Sequence, residues 1–204
     1  SIFEYRIDLK NDIPEKIFSD VDCFVDLAWR DVNDVHSSQH LDFNLPAHLD
    51  FINKITCLGV KNIFVLGSCY EYGLCKGEIK EDYSLNPVTN YGKAKKNLFL
   101  ELLKKSNKRN FNLTWGRLFY VYGPGQVKTS LYSQLMSSLI GNKKSFSMSS
   151  GKQKLDYLHV EEASKYIVEL VFKQLNLGAV NICSGKAIKV EDLVRNILSK
   201  ENKK

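Results

Sequence analysis

The chain has 204 residues and a formal net charge of +6, with 44% hydrophobic and 25% charged residues. This composition is ordinary for a globular protein, and the length allows a sizeable core. No apolar run approaches the roughly 18 residues that span a bilayer, and the first residues show no signal-peptide pattern. These properties disfavour a membrane protein, and the sequence predicts a cytoplasmic one.

The distribution of the cysteine, basic and histidine residues disfavours a disulfide-bonded protein, a nucleic-acid-binding protein and a metalloprotein. The five cysteines form no CxxC pair, as is typical of free thiols in a reducing compartment. The excess positive charge lies at residues 104–109 and 200–204, where a helix end and the chain terminus explain it without nucleic acid. His36 and His40 are four residues apart in a polar segment, which is weak support for a metal, so no metal site is predicted.

Apolar strand-like segments alternate with helical segments along the chain. "IFEYRIDL" predicts a strand that ends near Asp8, residues 21–29 a second apolar strand, residues 41–59 a helix and residues 60–68 a third strand. A helix opening at Pro87 follows a charged loop, and the later elements are a strand over 111–121, a helix over 129–140, a short strand near "DYLHV", a helix over 161–174, a strand over 179–185 and a last helix over 189–200. Apolar strands separated by helices predict an α/β doubly wound parallel sheet.

Ser68 stands at the end of the third predicted strand, in "GSCYEYG". In a doubly wound sheet, chemistry takes place outside the carboxyl ends of the strands. Tyr91 follows about two dozen residues later, with Lys95 one helical turn beyond it on the same face. A second YxxxK pair, Tyr72 and Lys76, lies in a loop and is interpreted as a chance match.

The three residue types suit hydride chemistry at a hydroxyl-bearing carbon. A tyrosine titrates near 10, and a nearby ammonium favours its phenolate. The hypothesis is that Lys95 lowers the pKa of Tyr91, that Tyr91 exchanges a proton with a sugar hydroxyl, and that Ser68 holds the oxygen.

Six segments in the same order resemble motifs of the extended short-chain dehydrogenase/reductase family of nucleotide-sugar epimerases, dehydratases and reductases. "DLAW" resembles HLAA, "LGSCYEYG" resembles SS-x-x-x-YG, and "NPVTNYGKAK" resembles P-x-x-x-YG-x-SK. "GRLFYVYGPGQ" resembles R-x-FNVYGPG, "DYLHVEEA" resembles RDF-x-HVDD-A, and "VNICSGKAIKVEDLV" resembles YN-x-GSG-x-x-x-S-x-x-EL. The resemblance implies a Rossmann-type fold, with a partial NAD(P)-binding domain over residues 1–124. Residues 125–204 would then contribute to the sheet and to a small, truncated substrate-binding part.

The resemblance also implies site residues. Ser68, Tyr91 and Lys95 become catalytic, with Lys95 also holding the nicotinamide ribose. Five further positions would contact the cofactor, namely Asp8, Leu9, Leu27, Ala28 and Asn44. Three positions would contact the substrate, namely Tyr120, Gln126 and Asp156. Tyr70 is either a second acid/base or a packing tyrosine. The implied partners are a nucleotide-diphosphate sugar and a second copy of the chain, as a homodimer.

The departures from the family pattern narrow the activity. The 4,6-dehydratases carry an acidic pair directly after the catalytic hydroxyl residue, whereas here Cys69 and Tyr70 fill those places and Glu71 comes one place late. Dehydratase activity is therefore not expected. The glycine-rich GxxGxxG turn would precede "IFEYRIDL", so the sequence leaves two alternatives, a fragment of an enzyme or a chain that has lost its cofactor seat.

Two functions remain. The first is an NAD(P)-dependent nucleotide-sugar epimerase or 4-ketoreductase, with NAD and NADP equally open. The second is a catalytically silent binding or scaffold protein on the same fold, because a fold alone does not fix a function.

Overall fold

The structure, a computed structural model, describes residues 7, 9, 15–18 and 20–201. Apart from Ile7 and Leu9, the predicted first strand lies outside the described residues, and so does Asp8. Across 20–201 and the short described stretches before them, none of the helices has the length and apolarity to cross a membrane. The chain divides into two compact units, one of residues 1–117 with 169–181 and one of residues 118–168 with 182–204. The predicted division near residue 124 stays a prediction.

Helices and strands alternate through most of the described chain. In order they are β1 (Phe24–Asp26), α1 (Leu45–Cys57), β2 (Asn62–Ser68), α2 (Asn90–Arg109), β3 (Asn112–Leu118), β4 (Tyr120–Tyr122), α3 (Leu131–Ile140), β5 (Lys154–His159), α4 (Val160–Lys173), β6 (Gly178–Ile182), β7 (Ala187–Lys189) and α5 (Val190–Glu201). Short turns of 3-10 helix lie at Glu15–Ile17 and Cys69–Glu71, and a π-helical turn at His40–Asn44 precedes α1.

The first unit is built on a parallel sheet in the order β1-β2-β3-β6, flanked by helices. The predicted α/β fold class is confirmed. Its core takes apolar side chains from both α1 and α2 and from the central strands, because strands covered on both faces are apolar throughout. Its fully buried members include Ile52, Ile55, Ile63, Val65, Leu98, Leu102, Leu113 and Trp115.

Three elements differ from their predicted limits, each for a local reason. The strand predicted over 21–29 ends at Asp26, where the side chain accepts the Ala28 N–H at 3.3 Å and turns the chain away. The first α-helix begins only at Leu45 because Pro46 lacks an N–H and suits the first turn of a helix. The helix predicted from Pro87 begins at Asn90, since the Thr89 hydroxyl caps it by accepting the Gly92 N–H at 3.1 Å.

The second unit holds a smaller sheet in the order β4-β5-β7, with β4 and β5 parallel and β5 and β7 antiparallel. The single strand predicted over 111–121 is therefore two strands in different sheets. The short β7 was not predicted. Helices α3 and α5 supply the core of this unit, with Leu135, Leu193, Val194 and Ile197 buried together.

Candidate functional site

Ser68 is the last residue of β2 and the N-cap of the turn Cys69–Glu71. Its hydroxyl accepts the Tyr70 N–H at 3.3 Å, which satisfies one of the free donors at the start of the turn. The side chain is buried, and its hydroxyl lies close enough to the phenol of Tyr91 to lower the pKa of that group. The structure therefore brings together two of the three residues predicted as catalytic.

Tyr91 lies in the first turn of α2, in an aromatic pocket. Its ring packs 5.3 Å from that of His40, 5.8 Å from that of Tyr70 and 6.1 Å from that of Trp29, measured between centroids. Burial raises the pKa of Tyr91 to about 12, against the hydrogen bond from Ser68, which lowers it. The direction is opposite to the predicted one, so Tyr91 is a neutral phenol at pH 7.

Lys95 is fully buried on α2, one turn beyond Tyr91. Its ammonium donates to the Leu66 carbonyl of β2 at 2.7 Å and lies 3.8 Å from the centroid of the Trp29 ring. Burial lowers the pKa of Lys95 to about 8, and the charges of Asp26 and Glu71 oppose that shift. The ammonium is thus engaged by β2 and Trp29, and burial determines the direction of the Tyr91 pKa shift.

The low pKa of Lys95 predicts a pH dependence of stability. The folded protein releases this proton near pH 8, and the unfolded chain near the ordinary value of 10.5. Below pH 8 both states bind the proton and the penalty of burying the charge is fully present. Stability therefore rises between pH 8 and 10.5, by up to about 3 kcal/mol from this group alone. Urea unfolding of the wild type and of Lys95→Met at pH 7, 8.5 and 10 isolates the contribution of Lys95, because the titration of all other groups is common to the two proteins and cancels in the difference of their unfolding free energies. As the pH rises, the unfolding free energy of the wild type should increase relative to that of Lys95→Met. A difference that does not change with pH contradicts the prediction.

Glu71 is a fully buried carboxylate directly behind Ser68. Its Oε1 accepts the Ser68 N–H and the Trp115 indole N–H, each at 2.9 Å, and its Oε2 accepts the Arg117 Nε–H at 2.8 Å. Both charged groups are almost completely shielded from solvent. Burial raises the pKa of the Glu71 carboxyl, and the charge of Arg117 opposes the rise. Glu71 therefore fixes the backbone at Ser68 and takes no part in the surface of the site.

The network continues from Arg117 to the far edge of the sheet. Its Nη1 donates to the Tyr72 hydroxyl and to the Glu81 carbonyl, both at 2.9 Å. The Tyr72 hydroxyl in turn donates to Asn181 of β6 at 2.7 Å. Tyr72, a member of the second YxxxK pair, is thus a structural residue, in agreement with its interpretation as a chance match.

Gly92 lets the turn after β2 approach α2 closely. A Cβ at this position would lie 2.4 Å from the Tyr70 carbonyl oxygen, and backbone cannot move aside as a flexible side chain can. We expect Gly92→Ala to lower the free energy of unfolding by about 1–3 kcal/mol, as overpacking usually does. Urea denaturation measures this, with Lys93→Ala on the exposed face of the same turn as the control. Equal stability of the two variants would contradict the prediction.

The predicted cofactor residues of the first unit fall into two groups. Leu27 and Ala28 follow β1 directly and are exposed at its carboxyl end, and the Ala28 N–H is bonded to the Asp26 side chain. Leu9 packs against the core, and Asn44 is buried, donating to the Arg30 carbonyl at 3.0 Å. Cofactor contact by these residues stays a prediction.

The predicted substrate residues all lie in the second unit. The Tyr120 ring packs 6.0 Å from that of Tyr157. Gln126 donates to the Val121 carbonyl at 2.9 Å, and Asp156 accepts the N–H and hydroxyl of Ser184, each at 2.7 Å. Each residue has a local role in this unit, and substrate contact stays a prediction.

Sequence reasoning missed a second group of buried residues around the site. Asp26 ends β1 and lies 2.6 Å from Nδ1 of His48, which stacks on Trp29 at 4.8 Å. A carboxylate at the end of an apolar strand and a histidine on the apolar face of a helix were the available signals. For Glu71, the sequence alone indicates only an acid displaced by one position from the dehydratase pair.

Comparisons with known proteins agree with this architecture. The chain is 27% identical over 189 residues to dTDP-6-deoxy-L-talose 4-dehydrogenase (NAD(+)) of Aggregatibacter actinomycetemcomitans, which covers 92% of this chain and 69% of that protein. It is similar in fold to the NAD dependent NDP-hexosamine 5,6-dehydratase TunA (TM-score 0.80, 24% identity, 95% of this chain and 64% of that one). It is equally similar to UDP-N-acetylglucosamine 4-epimerase from Methanobrevibacter ruminantium M1 (TM-score 0.80, 23% identity, 93% and 63%).

The chain thus spans less than two thirds of the length of each of these two structures. Residues 6–183 match the family described as the NAD dependent epimerase/dehydratase family. This match covers most of the chain, including Ser68, Tyr91 and Lys95, and the chain therefore belongs to that family.

Proposed function

We propose that this protein is an NAD-dependent oxidoreductase of nucleoside-diphosphate sugars that reduces a ketone at a sugar carbon, and oxidises the alcohol in reverse. The observation that carries the proposal is the placement of the buried Ser68 hydroxyl beside the phenol of Tyr91, whose pKa it lowers, with Lys95 one turn beyond Tyr91 on α2. The similarity to a dTDP-sugar 4-dehydrogenase supports position 4 of the sugar as the site of reaction.

The chemistry of the donor set fits the nicotinamide end of the cofactor. An ammonium has three N–H donors, and the Leu66 carbonyl takes one of those of Lys95. The donor that the Leu66 carbonyl and the Trp29 ring leave suits a hydroxyl of a ribose. The exposed residues Leu27 and Ala28 lie at the carboxyl end of the neighbouring strand β1. NAD, when bound, supplies or accepts the hydride.

The protein's own residues handle the proton. Tyr91 is a neutral phenol at pH 7, because burial raises its pKa to about 12, and a neutral phenol can donate a proton. In the reduction, hydride adds to the carbonyl carbon while the phenol proton passes to the carbonyl oxygen, giving the alcohol. Ser68 orients that oxygen by its hydroxyl. The protonated phenol suits the reduction, in which Tyr91 gives up its proton to the new hydroxyl.

The environment of Tyr70 also supports a reductase. Tyr70 is partly exposed and packs edge-on against Tyr91, with 5.8 Å between ring centroids. A packing role for Tyr70 explains this contact, and a second acid/base is not required for a reductase. Tyr70→Phe should therefore keep the turnover of the wild type.

The test uses the protein as its native host produces it. NADH consumption at 340 nm with a nucleoside-diphosphate 4-keto-6-deoxy sugar supports the proposal. Interconversion of 4-epimers without net NADH consumption would favour an epimerase. The absence of both reactions, together with the absence of NAD binding by calorimetry, would refute the proposal and favour the silent binding protein.

A further inference from the structure

Trp29 touches both members of the Tyr91/Lys95 pair, although no motif singled it out. It stands where the resembled HLAA pattern ends in a small residue. The Lys95 ammonium lies 3.8 Å from the centroid of its ring, and the Tyr91 ring meets it edge-on at 6.1 Å. A small side chain at this position could reach neither group.

The Trp29 indole is held by two histidines. Its N–H donates to Nδ1 of His40 at 3.0 Å, and Nε2 of the same imidazole lies 2.8 Å from the Asp34 carbonyl oxygen. These partners require a neutral His40 that accepts through Nδ1 and donates through Nε2. The His48 ring stacks on the indole at 4.8 Å and is itself bonded to Asp26 at 2.6 Å. Both histidines are buried, so the indole has one defined position.

We infer that Trp29 is a positioning residue for Lys95, holding its ammonium against the carboxyl end of β2 beside Tyr91. The face of an indole attracts a cation, and this attraction is strongest where water is excluded, as it is around Lys95. Lys95 has a flexible four-carbon stem, and the Leu66 carbonyl alone provides a single bond. The indole supplies the second contact that selects one direction of the stem. The catalytic meaning of this inference rests on the proposed function, whereas the position of the ammonium does not.

Trace acetylation with acetic anhydride, read by peptide mass spectrometry, tests the position without any need for activity. Lys93 is the internal reference, because it is exposed on the same helix two residues earlier. In the wild type, Lys95 should react far more slowly than Lys93. In Trp29→Leu the relative reactivity of Lys95 should rise by about tenfold or more, whereas Trp29→Phe, which keeps an aromatic face, should stay near the wild type. Val32→Ala, at an exposed residue close to Trp29 in the chain, is the matched control.

If Trp29→Leu fails to fold, the proton chemical shifts of the wild type still test the position of Lys95. The ε-methylene protons of Lys95 should resonate upfield of those of Lys93 because of the indole ring current. Ordinary shifts for Lys95, or equal acetylation in the wild type and Trp29→Leu, would overturn the inference.

Kinetics separate positioning from simple core packing. With an active wild type, Trp29→Leu should lower kcat with little change in KM, and Trp29→Phe should restore most of it. Equal losses in both variants would mean that the indole has only a packing role. An inactive wild type with the expected acetylation pattern would refute the proposed function and leave the position of Lys95 established.

Discussion

Replacing Glu71 with alanine should lower the free energy of unfolding by about 3–5 kcal/mol, the usual loss when one partner of a buried ion pair is removed. The Arg117 guanidinium would remain buried without its counter-ion, and the N–H groups of Ser68 and Trp115 would lose their acceptor. A buried donor without a partner incurs its full desolvation penalty. Equilibrium unfolding in urea measures the change.

Two further variants separate the loss of the buried ion pair from the general effect of replacing a glutamate. Glu78→Ala, at an exposed glutamate in the loop that follows, should change stability by no more than about 0.5 kcal/mol. The double variant Glu71→Leu with Arg117→Met should be more stable than Glu71→Ala, because it leaves no buried charge without a partner. A loss below about 1 kcal/mol in Glu71→Ala would contradict the structural role of this carboxylate.

Replacing Tyr91 with phenylalanine should lower kcat for ketone reduction by about 10²–10⁴-fold, the range of general acid–base catalysis. The ring would keep its packing against His40, Tyr70 and Trp29, so the fold and the KM should change little. The variant removes only the phenol hydroxyl, which is the proton donor and lies beside Ser68. Steady-state kinetics at 340 nm, with thermal unfolding alongside, measure both effects.

Matched controls come from the same chain. Tyr166→Phe, on the exposed surface of α4, should leave kcat unchanged. Lys76→Met in the chance YxxxK pair should also be silent, whereas Lys95→Met should lower kcat. A Tyr91→Phe variant with nearly full activity would falsify the role of this phenol in proton transfer.

The fold was predictable from the sequence because its signals are local and repeated. The buried strand β2 and the long helix α2 follow from apolar runs and from the 3.6-residue period, and both lie within a few residues of their predicted limits. The errors fall where side chains act on the backbone. Asp26 ends β1 early by accepting an N–H, and Pro46 sets the start of α1. The split into β3 and β4 depends on which sheet each segment pairs with, and periodicity does not report that.

The candidate site was predictable only in part. The spacing of Tyr91 and Lys95 and the strand end at Ser68 located these three residues. The direction of the Tyr91 pKa shift could not be inferred, because it depends on burial and on where the Lys95 ammonium points. Trp29 and Glu71 were missed for the same reason, since their partners lie on other elements.

The bond between Tyr72 and Asn181 has a consequence for the order of folding. The two residues are separated by 109 positions in the chain, and Asn181 also donates to the Ile79 carbonyl. Contacts of such long sequence separation close large loops and form late. The turn that presents Ser68 therefore acquires its final support only after β6 has docked. On the ribosome, which makes the chain from its N-terminus, the turn must wait for more than a hundred further residues.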